Sequence, residues 1–153
     1  MSAQSGLAQA DAASAFADHC FSPFLTAQAA AANLPSGHDF YDLDPFRDSN
    51  PISEPRGRPA TPGTDRRCEV AFDGADVEAG IAAVTQGLRK EGIDTEAAVP
   101  ADFPAQAGTG FIAARQLNPT RIAVVQVGTR PGPNGVETFI SVERLVPLYE
   151  VRP

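Results

Sequence analysis

The sequence predicts an α+β fold: N-terminal helices, a long proline-rich loop, then a β-α-β-β-β order giving an antiparallel sheet backed by helices. Residues 11–33 and residues 76–91 carry apolar side chains at helical spacing. Three β-rich segments follow, and Asn134-Gly135 between the last two is a strong hairpin signal. The C-terminal hairpin is therefore the firmest prediction.

The N-terminal region is expected to contain two helices. The first begins near residue 11, since three apolar residues recur four apart on one face: Ala12, Phe16 and Cys20. Ser22-Pro23 has the pattern of an N-cap followed by proline in the first turn, which predicts a second helix over residues 23–33.

Residues 35–66 are predicted to form a single long loop. Its six prolines exclude a helix or a central strand, because proline lacks a backbone donor and restricts the preceding residue: Pro35, Pro45, Pro51, Pro55, Pro59 and Pro62. A loop of this length in a compact domain is usually functional or disordered. Its first half is aromatic, whereas residues 54–66 are charged and are expected to be mobile.

The remaining elements follow from periodicity. A strand is expected over residues 67–72, with one apolar face: Cys68, Val70 and Phe72. A helix is expected over residues 76–91, ended by Gly92 and marked by an apolar stripe: Val77, Ile81, Val84 and Leu88. Three further strands complete the sheet: residues 110–116, 121–128 and 136–145.

Length and charge limit the classes of function. The 153 residues suit one domain, with residues 1–10 flexible and residues 11–153 folded. The net charge of −7 argues against binding to nucleic acid or to an anionic membrane surface. No apolar run approaches the roughly 20 residues that span a bilayer, so no membrane insertion is expected.

The two cysteines, Cys20 and Cys68, allow one intramolecular pairing. Each lies on the predicted apolar face of its element, so a disulfide would join the first helix to the sheet. The alternative is two buried thiols in a reducing compartment. A Cys-His catalytic pair is not expected, because His19 and Cys20 point about 100° apart on a helix.

Residues 38–48 suggest two kinds of site. Three carboxylates beside His38 are candidates for binding a hard cation such as Ca²⁺: Asp39, Asp42 and Asp44. The glycine and terminal glutamate of an EF-hand are missing, and a solvated acidic loop is the competing interpretation. No cofactor is predicted.

The same segment contains candidates for contact with a protein partner: Phe40, Tyr41 and Phe46. The competing interpretation is that these rings fix the loop to its own core. Arginines on or beside the strands suggest an anion patch or, alternatively, salt bridges to Glu137 and Glu143: Arg115, Arg121, Arg130 and Arg144.

The arrangement resembles small uncharacterised exported proteins of GC-rich bacteria. The shared features are a helix with Phe-x-x-x-Cys (Phe16 to Cys20), a later cysteine opening a strand (Cys68-Glu-Val) and a following αβββ unit. The resemblance implies a periplasmic or exported location and a disulfide, but no reaction. The start of the chain lacks the pattern of a signal peptide, which leaves a cytoplasmic location as the alternative.

The leading functional hypothesis is a non-enzymatic binding or accessory protein that contacts a protein partner through the aromatic loop or a sheet face. The first alternative is a small-ligand protein, metal-binding protein or enzyme with its site between loop and sheet. The second is a subunit of a larger assembly, since extended proline-rich segments often wrap neighbours. No nucleophile with a poised base is evident, so the sequence favours a protein that is not an enzyme.

Overall fold

The computed structural model describes residue 9 and residues 11–146. Except for Gln9, the segment predicted to be flexible (residues 1–10) lies outside the described residues. Within them, six strands are present: β1 (Asp39–Asp42), β2 (Thr64–Asp73), β3 (Glu96–Ala97), β4 (Thr109–Asn118), β5 (Arg121–Gly132) and β6 (Gly135–Leu145). They form one antiparallel sheet in the order β1-β2-β6-β5-β4-β3. Helices pack on it, so the predicted α+β class is confirmed.

The helical part of the described chain has three pieces. Residues 11–15 are α-helical and continue into a π-helical turn, Phe16–Cys20. Two α-helices follow, α1 (Ala27–Asn33) and α2 (Val77–Lys90). None of these described helices is both long enough and apolar enough to cross a bilayer.

The predicted first helix face is confirmed, because Ala12, Phe16 and Cys20 are all buried. The predicted start of the second helix is wrong: α1 begins at Ala27, and the hydroxyl of Thr26 accepts the N–H of Ala29 at 3.2 Å. The Ser22 hydroxyl instead accepts the N–H of Phe24 at 3.2 Å, a local turn that competes with a helix start.

Two strands lie where the sequence predicted loops. β1 forms one edge of the sheet and β3 the other. With four and two residues they are too short to show the alternation by which strands are recognised. The expectation of a continuous loop over residues 35–66 is therefore wrong at β1, and also at its end, because β2 already begins at Thr64.

The C-terminal hairpin is tighter than the predicted strands over residues 121–128 and 136–145 suggested. β5 and β6 pair as far as Gly132 opposite Gly135, which leaves Pro133 and Asn134 at the turn. The left-handed backbone that the reversal requires falls on Gly135, at φ +114°.

One face of the sheet holds the main apolar core, where the helices pack. Phe40, Val70, Val125 and Ile140 contribute from four strands, and Val84 and Leu88 contribute from α2. A disulfide joins Cys20 to Cys68, with 2.08 Å between the sulfurs and 5.4 Å between the Cα atoms. The helix that precedes the proline-rich segment is thereby covalently fixed to the strand that follows it.

We expect removal of the Cys20–Cys68 bridge to lower the free energy of unfolding by roughly 4 kcal/mol, from the chain entropy of the closed loop. Urea unfolding of the oxidised protein and of the Cys20→Ala/Cys68→Ala variant measures this change. Adding a reductant should destabilise the native protein and leave the variant unchanged. Equal stability of the two oxidised proteins would contradict the expectation.

Helix α2 lies close to its neighbours because two of its inward positions are glycines. A Cβ on Gly80 would overlap the Val127 side chain, and one on Gly87 would overlap the Phe21 ring. The same added Cβ on Gly87 would lie 3.1 Å from the backbone oxygen of Ala17. A helix with alanine at these positions would have to move away from the core.

We therefore expect Gly87→Ala to destabilise the protein by about 1–3 kcal/mol through overpacking. The general preference of helices for alanine, about 1 kcal/mol in the opposite direction, does not offset a clash with a buried ring and a backbone atom. Thermal or urea unfolding measures the change, and Gln86→Ala on the exposed face of α2 is the matched control. A stabilised Gly87→Ala protein would show that the helix has room to shift.

Candidate functional site

The second face of the sheet is buried but largely polar. At its centre, charged and amide side chains have almost no exposed surface: Arg67, Glu69, Gln126 and Glu143. Three residues of one proline-containing loop bond these side chains, Arg58, Pro59 and Thr61, and Gln106 does so from another. The loop half that was expected to be mobile is therefore packed as a cover over this face.

Arg67 lies at the centre of this face, with its side chain 1% exposed. Its Nε lies 3.0 Å from a Glu143 oxygen, and its Nη1 lies 3.1 Å from an Asp39 oxygen. Its Nη2 donates to the carbonyl of Pro59 at 2.9 Å and to the Thr61 hydroxyl at 2.8 Å. Burial acts to lower the pKa of Arg67, but the two carboxylates outweigh it and raise the pKa.

Glu69, two residues further along β2, is the centre of a second group of charges. Its carboxylate accepts from Arg58 at 3.0 Å, from Arg130 at 2.9 Å and from the amide of Gln106 at 2.8 Å. Burial acts to raise the pKa of Glu69, but Arg58 and Arg130 together lower it below the ordinary value. Arg130 also binds Glu137 at 2.8 Å, the cross-hairpin bridge that the sequence suggested.

A cleft of about 840 Å³ opens beside this group of charges, at the edge of the sheet formed by β1. One wall is α1, and the other is the segment from Ser53 to Arg58. Several lining residues are small: Ala27, Ala31, Gly37 and Gly57. The lining also carries His38, and its charged side chains are three arginines and two carboxylates: Arg56, Arg58, Arg130, Asp39 and Glu69.

The three metal candidates are each bound to arginine rather than gathered together. On the polar face of β1, a carboxylate oxygen of Asp39 lies 3.1 Å from a guanidinium nitrogen of Arg67. On the opposite face, a carboxylate oxygen of Asp42 lies 2.9 Å from a guanidinium nitrogen of Arg144. Asp44 lies 2.9 Å from Arg121. Among the described residues no group of three or more acidic, histidine or cysteine side chains is placed to hold a metal ion.

The structure also places the two histidines, His19 and His38. The sulfur of Cys20 is part of the disulfide, so His19 has no neighbouring thiol to activate. The Nδ1 of His38 donates to the carbonyl of Pro35 at 3.1 Å and fixes the ring at the entrance of β1.

The aromatic partner candidates separate into buried and exposed residues. Phe40 packs in the main core on one face of β1, and Tyr41 packs under Arg67 on the other face. Both rings are buried and fix this segment to the body of the protein. Phe46 is 65% exposed, and its ring meets that of Phe24 edge to face at 5.3 Å between centroids.

Phe46 belongs to a group of exposed apolar side chains that we call the apolar patch: Phe24 (45% exposed), Leu43 (38%), Phe46 (65%) and Ile52 (65%). Leu43 and Ile52 flank the bridge between Asp42 and Ser53, whose backbone groups exchange hydrogen bonds of 2.7 and 2.8 Å. Only two other large apolar residues of the described chain are exposed, Ile112 and Val136.

Arginines hold the patch in place. Arg66 donates to the carbonyl of Ser22 at 2.7 Å and lies 3.4 Å from Asp42, which ties the Phe24 turn to the start of the loop. Arg144 donates to the carbonyl of Asp44 at 2.7 Å. Burial lowers the pKa of Arg66 to about 10, and the group remains a cation at neutral pH.

A second cavity, of about 870 Å³, lies on the polar side at the other end of the sheet. Phe103, Ile122 and Leu145 give it a mainly apolar wall. Val146, the last described residue, lies on its rim.

Sequence reasoning missed the charged face although its signal was present. Arg67 and Glu69 alternate with Cys68 and Val70, and Glu143 alternates with Val142, which assigns the charges to one face. Such alternation ordinarily means a face in water. The missing information was that two proline-containing loops cover it.

No known protein-family model matches this chain, and comparisons with curated proteins and with solved structures give no match either. The disulfide implied by the resemblance to small exported proteins is present, but nothing in these comparisons supports that grouping.

We expect Glu69→Gln to destabilise the protein by about 1–3 kcal/mol near neutral pH, because Arg58 and Arg130 lose a counter-charge while water and Glu137 still reach them. The pKa of Glu69 is lowered in the folded state, so its contribution is present above its unfolded pKa and declines as pH falls through the folded pKa. The difference between the two proteins should therefore shrink in acid.

Urea unfolding of both proteins from about pH 7 to about pH 3 tests this dependence. Glu78→Gln, at an exposed position on α2, serves as the control. A difference between native protein and Glu69→Gln that stays constant with pH would contradict the assignment.

Proposed function

We propose that this chain is a non-enzymatic binding or accessory protein that holds a protein partner through the apolar patch. The observation that carries the proposal is the concentration of exposed apolar side chains: four of the six in the described chain belong to the patch. Scattered exposed apolar residues are normal on a protein surface, whereas exposed rings that pack on each other, as Phe24 and Phe46 do, indicate a contact site.

The way the patch is held supports recognition. The Asp42–Ser53 bridge closes the loop, and Arg121 and Arg144 fix Asp44 within it. An interface loop that is already ordered loses less conformational entropy on binding. Aromatic side chains such as Phe24 and Phe46 are also enriched at the centres of interfaces.

Charge at the border of the patch favours specificity. The guanidinium of Arg47 lies 4.1 Å from the centre of the Phe24 ring, so a cation sits beside the apolar surface. Asp48 follows it in the loop and is exposed. An apolar centre with charged residues at its rim is the common arrangement in protein–protein contacts.

The proposed location is the periplasm or another oxidising compartment. Disulfides persist where thiols are not continuously reduced, and Cys20–Cys68 connects two buried core positions. The resemblance to small exported proteins points to the same location. Under this proposal the partner is a protein of that compartment or a subunit of a larger assembly.

Site-specific crosslinking in the source organism tests the proposal. A photoreactive phenylalanine replaces Phe46 in one protein and Val136, which is 48% exposed but outside the patch, in a second. We expect one defined protein to crosslink from position 46 and not from position 136. Equal crosslinking from both positions, or none from position 46, would contradict a contact site at the patch.

We expect Phe46→Asp to weaken binding of that crosslinked protein by at least about tenfold, because the charge would be buried in an apolar contact. Val136→Asp is the matched control and should bind as the native protein does. Both substitutions are at exposed positions, and the ring contact that Phe46 loses with Phe24 is worth about 0.5–1.5 kcal/mol, so both proteins should stay folded. Unchanged binding by purified Phe46→Asp would exclude the patch as the contact.

A further inference from the structure

We propose that the cleft beside β1 receives an extended acidic peptide segment, which adds as a strand to the free edge of β1 at Phe40. This site is separate from the apolar patch, and the proposal does not depend on the proposed function. It rests on the backbone groups that the edge presents, on the space beside them and on the charge of the lining.

The outer edge of β1 presents backbone groups that do not face β2. The N–H and C=O of Asp42 point away from β2, because both bond to Ser53. Backbone direction alternates along a strand, so the N–H and C=O of Phe40 point to the same side. Within the described residues neither group has a partner, and Phe40 lines the cleft.

The segment that follows Ser53 does not continue to pair with β1. After Ser53 the chain leaves β1, because Arg58 crosses to the polar face and bonds Glu69 at 3.0 Å. Pro55 lies in the departing segment and has no N–H to continue the pairing. The cleft is the space left between this departing segment and α1, and its small lining residues leave room for side chains of a bound strand.

The charged side chains that line the cleft favour an acidic ligand. The lining carries three arginines against two carboxylates, although the whole chain has a net charge of −7. Arg58 and Arg130 are bound to Glu69, but Arg56 is exposed and forms no salt bridge with any described residue. An arginine placed beside an open strand edge favours a carboxylate on the incoming segment, whether a side chain or a terminal carboxyl group.

The backbone groups decide between a peptide and a small anion. An anion would need only the guanidinium of Arg56, which is exposed to water and binds weakly there. A peptide also satisfies the N–H and C=O of Phe40, and main-chain hydrogen bonds supply much of the affinity when a strand adds to an edge. The combination of edge and cation therefore favours an extended acidic peptide.

Selection from random displayed peptides of about seven residues, on the full-length oxidised protein, tests the proposal. We expect the selected peptides to be enriched in Asp and Glu. Arg56→Glu should weaken a selected peptide by at least about tenfold. Arg89→Glu, an exposed arginine of α2 with the same change of charge, is the matched control and should leave binding unchanged.

Strand pairing gives a second readout that a small-anion site would lack. Methylating each backbone nitrogen of the selected peptide in turn should abolish binding at one position only, since the C=O of Phe40 accepts a single N–H from the added strand. Phe46→Asp should not change this binding, which separates the cleft from the apolar patch.

Three outcomes would overturn the proposal. They are selection of no peptide above background, binding that is insensitive to Arg56→Glu, and equally tight binding of a small dicarboxylate with no sensitive nitrogen in the methylation series. The last outcome would identify the cleft as an anion site.

Discussion

A buried guanidinium group at the middle of the sheet, that of Arg67, constrains the parts packed around it. A charge removed from water costs several kcal/mol unless it is paired and hydrogen-bonded. Glu143 and Asp39 provide the charges, and the backbone at Pro59 provides a further acceptor. Strand β6, edge strand β1 and the proline-rich segment must therefore all be in place for the same group. The segment that separates the two cysteines in sequence is thus part of the folded structure rather than a tether.

The two faces of the sheet have different means of support. The helix face is held by apolar packing and by the Cys20–Cys68 disulfide, whereas the loop-covered face is held by ion pairs. Ion pairs specify geometry more strictly than apolar contacts, because their bonds are directional. This explains how a segment with six prolines and little regular structure keeps a defined path. Both proposed binding regions, the apolar patch and the cleft, lie beside β1, where this path leaves the sheet edge.

The candidate site could be predicted from the sequence only in part. The sequence singled out three aromatic residues for contact with a partner, which stays a prediction; in the structure Phe40 and Tyr41 are core residues, and Phe46 is exposed. Phe24, its neighbour in the patch, lies more than twenty residues away and no local pattern connects the two. Asp39 and Asp42 are close in sequence but lie on opposite faces of β1, since a strand alternates its side chains. Assigning a shared site to them requires knowing that the segment is a strand.

The sequence by itself determined the α+β class, helix α2, the C-terminal hairpin and the faces carrying Cys20 and Cys68. These features depend on periodicity and turn chemistry, which are local properties of the chain. Only the tertiary structure decided that β1 and β3 are strands, that a charged face is buried and that, among the described residues, no strand pairs with Phe40 on its outer side. Each of these depends on contacts between residues far apart in sequence. Strands this short form only because a neighbouring strand pairs with them, and a charged face is buried only when a distant loop covers it.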